Sequence, residues 1–283
     1  MTMHLARPLT QMLRRVLPGR PARLNTLWIN PDLDWVARAC LKSMVAQGHR
    51  VRLFSYDPVT NVPAGVECAD ASRIVPRDRI FRFDGVFQVD RIGSVAVFAD
   101  YFRYRMMQMG QGVWTDADVY FLRPLLDTTG PVLSWEGTGH VCNAVMHLPP
   151  DSPVLADLIG AMEPPYEFPF WVQKDVRAVV LKKLAGRPLH PGALTYATFG
   201  PVGLTHVLHK HEGLPMVRPS EGFCPVHYRD VHRLAQPAHR FLGTLPASTV
   251  AIHLWNSALE RFRDAPPPTG SFIDQVRAEG LAA

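Results

Sequence analysis

Asp116 and Asp118 stand two residues apart at the end of the apolar segment GVWTDAD, residues 112–118. If the strand runs on through them, both side chains point to one face. Two carboxylates at the C-terminal edge of a strand make a hard oxygen site for Mg²⁺ or Mn²⁺, with phosphate oxygens completing the shell. That edge is also where open α/β sheets bind ligands. The same spacing occurs in ordinary solvated turns, so the pair needs support from its neighbours.

Support comes from the residues just before it. Asp100, Arg103 and Tyr104 fall three and four positions apart in Ser94–Met109, a breaker-free stretch that predicts a helix with all three on one face. Only Gly110, Gln111 and Gly112 separate this helix from the strand, a permissive connection that predicts the two are neighbours. An exposed Asp–Arg pair on a helix would by itself do little.

The elements that must position these residues follow from periodicity. A buried strand is expected at 24–30, a helix at 34–47 closed by Gly48, and an alternating strand at 50–56, together the size of a βαβ unit. Residues 57–93 are looser, with short strands near Val66 and Ile80. Strands at 132–135 and 141–148 and a helix at 152–162 follow. Helices near 174–185 and 202–211, a strand at 249–255, a Pro266–Pro268 linker and a short terminal helix complete the chain. This alternation predicts one α/β domain over 24–265 with a mostly parallel central sheet and helical insertions, preceded by a basic arm (1–23) and followed by a linker and helix (266–283).

Composition narrows the classes. The chain of 283 residues has 30 Lys+Arg against 25 Asp+Glu, yet Arg7, Arg14, Arg15, Arg20 and Arg23 all precede the first acidic residue, Asp32. The excess therefore sits in the arm and the body is neutral, which argues against nucleic-acid binding. The arm, with Leu5, Met12, Leu13 and Val16 among its arginines, could instead touch an anionic membrane, or simply be solvated. No apolar run is long enough to span a bilayer. Cys40, Cys68, Cys142 and Cys224 are isolated, as expected for small buried hydrophobes in a reducing compartment, and the chain reads as cytoplasmic. His206, His209 and His211 cannot all face one way on a helix, so they are assigned no site. Gly-rich dinucleotide, Walker, zincin and Gly-x-Ser-x-Gly motifs are absent.

The string FADYFRYRMMQMGQGVWTDADVYFLRPL, residues 98–125, resembles the signature of the DXD sugar-binding glycosyltransferases, most of all family 32, which includes α-1,4-glycosyltransferases and capsular-type enzymes and is related to clostridial toxin glycosyltransferase domains. Ala99 replaces the family's Ser, and Gln111 replaces the first Gly of its turn. Weaker similarities lie in Leu27–Asn30, Val62–Val66, Ala69–Ala71, Val141–Val145, Phe199–Pro201 and Ile252–Asn256.

The resemblance implies a GT-A-like nucleotide-sugar-binding domain that moves a hexose from a nucleoside-diphosphate sugar, most plausibly a UDP-sugar, to a saccharide or glycolipid hydroxyl with retention. It implies that Trp28 stacks on the base, that Asp100, Arg103 and Tyr104 hold the donor sugar, and that Asn143 faces sugar or acceptor. Asp116 is implied to hold ribose and sugar hydroxyls or to reach the metal through water, and Asp118 to ligate it directly. His253 completes the set, which favours Mn²⁺ over Mg²⁺, with Trp255 and Asn256 beside the diphosphate. On the residues alone, Trp28 and His253 are equally readable as core side chains. Two other functions compete: a haloacid-dehalogenase-like phosphotransferase with Asp116 as nucleophile, against which Tyr120 stands where Thr or Val is usual, and a non-catalytic nucleotide-sugar or saccharide-binding module.

Overall fold

In the computed structural model, residues 19–126, 130–137, 139–259, 262 and 265–282 are described. Arg7, Arg14 and Arg15 of the expected arm lie outside them. The elements in chain order are β1 (Arg23–Leu27), α1 (Trp35–Ala46), β2 (Arg50–Ser55), β3 (Val66–Asp70), α2 (Ala96–Gln108), β4 (Val113–Thr115), β5 (Val119–Phe121), β6 (Val132–Trp135), β7 (Val141–His147), α3 (Pro153–Gly160), α4 (Lys174–Leu184), α5 (Pro201–Lys210), α6 (Ala238–Gly243), β8 (Ala251–His253) and α7 (Phe272–Leu281). The described residues divide into two compact units: those within 19–70, 113–126 and 218–282 form the first, and those within 71–112 and 130–217 the second.

In the first unit β3, β2, β1 and β4 lie side by side in that order, all parallel. Helix α1 connects β1 to β2 as the βαβ reading expected. Its start is fixed by Asp34, whose carboxylate accepts the Ala37 N–H at 2.8 Å, satisfying one of the unpaired donors of the first turn. Its buried stripe includes Val36, Cys40, Leu41 and Met44, and burial of Leu41 or Met44 contributes roughly 1.5–3 kcal/mol each. Strands β5 and β8 form a separate antiparallel pair in which Val119 faces His253.

The terminal helix α7 lies against α1 at very close range. A Cβ on Gly280 would come within 2.0 Å of the Trp35 carbonyl oxygen, so only glycine fits there. Arg38 and Lys42 of α1 donate to the Ala282 carbonyl at 2.6 and 2.9 Å. Tyr120 of β5 donates to Glu279 of α7 at 2.7 Å.

The second unit holds α2, the antiparallel hairpin β6–β7, and helices α3, α4 and α5. Helix α3 rests on α2, and α5 covers β7; the Thr205 hydroxyl of α5 accepts the Val141 N–H at 2.8 Å. Near Ile80 the expected strand is absent: Arg77–Arg79 form a single 3₁₀ turn after Pro76, since Pro76 and the run of charges give no alternating apolar face. Overall the architecture is mixed α/β with mostly parallel strand pairing in the first unit. No helix among the described residues is long and apolar enough to cross a membrane.

Candidate metal centre

Asp116 and Asp118 do not sit on a continuing strand. Strand β4 stops at Thr115, and Asp116–Ala117–Asp118 form a tight turn into β5, closed by the Val119 N–H donating to the Asp116 carbonyl at 3.3 Å. The expected convergence of the two carboxylates thus comes from a turn. It still lies at the C-terminal edge of a parallel strand: β4 pairs with β1 in the register Asn25↔Trp114, and Trp28 leaves β1 at the same edge.

The β5–β8 ladder brings in the third residue. With Val119 opposite His253, and the Leu254 N–H donating to the Asp118 carbonyl at 2.9 Å, His253 Nε2 comes to 3.4 Å from Asp118 Oδ1. One ligating atom each from Asp116, Asp118 and His253 lie within 4.8 Å of one another. Two ligands about 2.2 Å from a common ion stand at most about 4.4 Å apart, so sharing a cation requires only a few tenths of an ångström of closure. Two carboxylate oxygens and one imidazole nitrogen suit Mn²⁺ and leave room for phosphate oxygens.

Each ligand candidate is aimed by a neighbour. The Trp114 indole N–H donates to Asp116 Oδ1 at 2.7 Å. Asp118 Oδ2 accepts the backbone N–H of Asn256 at 2.9 Å. Burial pushes the Asp118 carboxyl up, but the His253 charge and hydrogen bond and the Asn256 N–H outweigh it and hold the group below the usual carboxylate value. Asp118 is therefore held as a carboxylate.

The Asn256 N–H reaches Asp118 because Trp255 adopts φ 57°, a left-handed conformation that side chains other than glycine's rarely take. Its ring lies 3.9 Å from the His253 imidazole, centroid to centroid, at 32°, and its indole N–H donates to the Val226 carbonyl at 2.8 Å. Backbone strain next to a metal-type cluster marks a place where geometry is imposed by surroundings.

Sequence reasoning missed Asp34. Besides capping α1, its Oδ2 accepts the Asn256 side-chain amide at 3.3 Å, so the helix start also anchors the loop carrying Asn256. The readable signal was an Asp just ahead of an amphipathic helix. Cys224, read as a buried hydrophobe, is buried, and its Sγ lies within 4.8 Å of a His253 ring nitrogen. Trp28 is half-buried, with its indole N–H donating to the Asp32 carbonyl at 3.0 Å.

The remaining predicted residues form a polar cluster inside the second unit. Asp100 and Arg103, 6% and 4% exposed, make an ion pair at 3.3 Å. The Asn143 amide donates to Asp100 Oδ1 at 2.8 Å, Arg103 donates to the Asn143 carbonyl, and the Tyr104 hydroxyl donates to the Phe199 carbonyl at 2.7 Å. Gly200 presses on this group: a Cβ there would lie 3.0 Å from Asp100 Oδ2 and 3.1 Å from Asn143 Nδ2. The pair is thus buried and braced, unlike an ordinary surface pair. His211, one of the three histidines left without a site, binds Asp157 at 2.8 Å, as does Lys210 at 2.7 Å.

No protein-family model matches this chain, and comparison with curated proteins finds no relative.

Proposed function

We propose that the protein is a metal-dependent glycosyltransferase that moves a hexose from a nucleoside-diphosphate sugar, such as a UDP-sugar, to a saccharide or glycolipid hydroxyl. The observation that carries this reading is the Asp116–Asp118–His253 cluster at a parallel-strand edge, set within a string that resembles the DXD transferases. A cation held by Asp118 and His253, with Asp116 directly or through water, would neutralise charge on the departing diphosphate.

The chain's own groups divide the remaining work. Asp118 is kept ionised and aimed by the Asn256 N–H, and Trp255 restrains the imidazole of His253 by stacking. Trp28, at the same strand edge, offers an aromatic face for a base. The resemblance assigns donor-sugar hydroxyls to Asp100, Arg103 and Tyr104 and the sugar or acceptor to Asn143; Asp100, Arg103 and Asn143 are held in one bonded cluster of the second unit. Such leaving-group stabilisation and positioning supply most of the rate in a transfer that uses no protein nucleophile.

The phosphotransferase alternative needs Asp116 as an in-line nucleophile, whereas Asp116 Oδ1 already accepts the Trp114 indole N–H and the neighbour of Asp118 is an imidazole. No observation favours the binding-module reading over transfer. The deciding experiment screens UDP- and GDP-sugars for Mn²⁺-dependent thermal stabilisation and nucleotide release. Nucleotide release that vanishes in Asp118→Ala supports the proposal. Release unaffected by that change, or phosphate-ester hydrolysis without any nucleotide sugar, overturns it.

A further inference from the structure

Of the ten large apolar side chains exposed among the described residues, eight belong to the second unit, and three of them fall within six positions. Phe87, Val89 and Ile92 are 61%, 73% and 55% exposed. Their loop is tightly ordered by its own backbone: Arg91 N–H donates to Gln88 O at 3.0 Å, Ile92 N–H to Val89 O at 3.3 Å, and Gly93 N–H to Phe83 O at 2.7 Å. Phe87 itself holds φ 73°, a strained conformation for a bulky residue, while its ring points into solvent. Held this way, the loop presents three apolar side chains together to solvent, the kind of patch that marks a contact surface.

The surroundings identify the partner. Lys183 of α4 donates to the Gly85 carbonyl at 2.5 Å, which sets α4 beside the loop. Val179, one turn earlier on the same face, is exposed, as is Leu181. Segments 77–93 and 174–187 together contain nine Lys/Arg against four Asp/Glu, although residues 32–283 as a whole are balanced. Asp84 lies 3.4 Å from His190, and Asp90 pairs with Arg91, one of the nine bases, at 3.2 Å, so a basic excess remains. A protein partner would favour an apolar centre depleted of lysine. Isolated apolar tips scattered among Arg and Lys suit a bilayer instead, where the tips enter the acyl boundary and the cations meet anionic headgroups.

We propose that this face of the second unit, formed by the Phe87–Ile92 loop and α4, docks the protein on an anionic lipid bilayer. The proposal is independent of the glycosyl-transfer reading and of residues 1–18. The test is co-sedimentation of the full chain with phosphatidylcholine vesicles, with and without phosphatidylserine. Binding is expected only with phosphatidylserine and is lost at high salt. The triple change Phe87→Ser, Val89→Ser, Ile92→Ser and the double change Arg79→Glu, Lys182→Glu each lower partitioning by about tenfold or more, with melting and circular dichroism unchanged. Deleting residues 1–18 leaves binding intact, and emission from Phe87→Trp shifts to the blue on phosphatidylserine vesicles. Absence of binding, binding that survives both sets of changes, or a dimer in light scattering that the serine changes dissolve would each overturn the proposal.

Discussion

The backbone N–H of Asn256 donates to Asp118 Oδ2 at 2.9 Å. This bond turns the other carboxylate oxygen toward His253 and holds it there before any ion arrives. Replacing Asp118 by Asn keeps a carbonyl oxygen for that N–H and removes only the charge. Asp118→Asn should therefore fold with near-parental stability, yet lose Mn²⁺-dependent thermal stabilisation and at least about 100-fold in nucleotide release. Chelation of metal from the parent protein should produce the same loss, restored by added Mn²⁺.

Trp255 separates backbone strain from side-chain packing. An alanine there keeps the left-handed φ of 57° and loses the stacking and the bond to Val226; a glycine loses the same contacts and also relieves the strain. Trp255→Gly should be more stable than Trp255→Ala by about 1 kcal/mol, the reverse of the order at ordinary positions. Urea denaturation of the two variants measures the difference.

His49 gives the first unit an acid-sensitive latch. Its Nδ1 bonds the Ala22 carbonyl at 2.9 Å while Nε2 accepts the Leu125 N–H at 3.2 Å, which requires the neutral ring with its proton on Nδ1. Burial lowers its pKa below the ordinary 6.5, against a smaller opposing effect of the Ala22 bond. The unfolded chain then binds the proton more readily, so the contribution of His49 is full above about pH 6.5 and is lost as pH falls below it. Denaturation series from pH 8 to pH 5 should show this slope in the parent and a flatter one in His49→Gln.

Arg103→Met should be among the costliest single changes in the second unit. It leaves Asp100 buried beside Gly200 without its cation, a loss of roughly 3–5 kcal/mol. Asp100→Asn combined with Arg103→Met removes both charges and should recover part of that loss. Thermal melts of the three proteins decide it.

Much of this arrangement was legible in the sequence, and the illegible part has physical causes. Helices α1 and α2 carry strong local patterns, and the Asp-x-Asp spacing survives whether a strand or a turn presents it. The turn itself was hidden because β4 spans only three residues, from Val113 to Thr115, too few for alternation to show where pairing ends. Strand β5 was missed for the same reason, and with it the Val119–His253 register that brings the histidine to Asp118. Asp34 was visible as a helix start, but its bond to Asn256, 222 positions away, is a product of tertiary packing. Gly280 carries no local signal of its own in a short terminal helix; its purpose emerges only when the Trp35 carbonyl is placed against it.

That contact bears on where the chain can be shortened. The Pro266–Pro268 stretch invites a cut near residue 265. Such a cut removes Glu279, the hydrogen-bond partner of Tyr120, along with the helix wedged against Trp35, the residue after Asp34. The loss would propagate from the discarded tail through the cap of α1 to Asn256, so a protein trimmed there should lose its Mn²⁺ response before it loses its secondary structure. For the same reason Gly280→Ala, a change of one methyl group far from the carboxylates in sequence, should imitate the truncation.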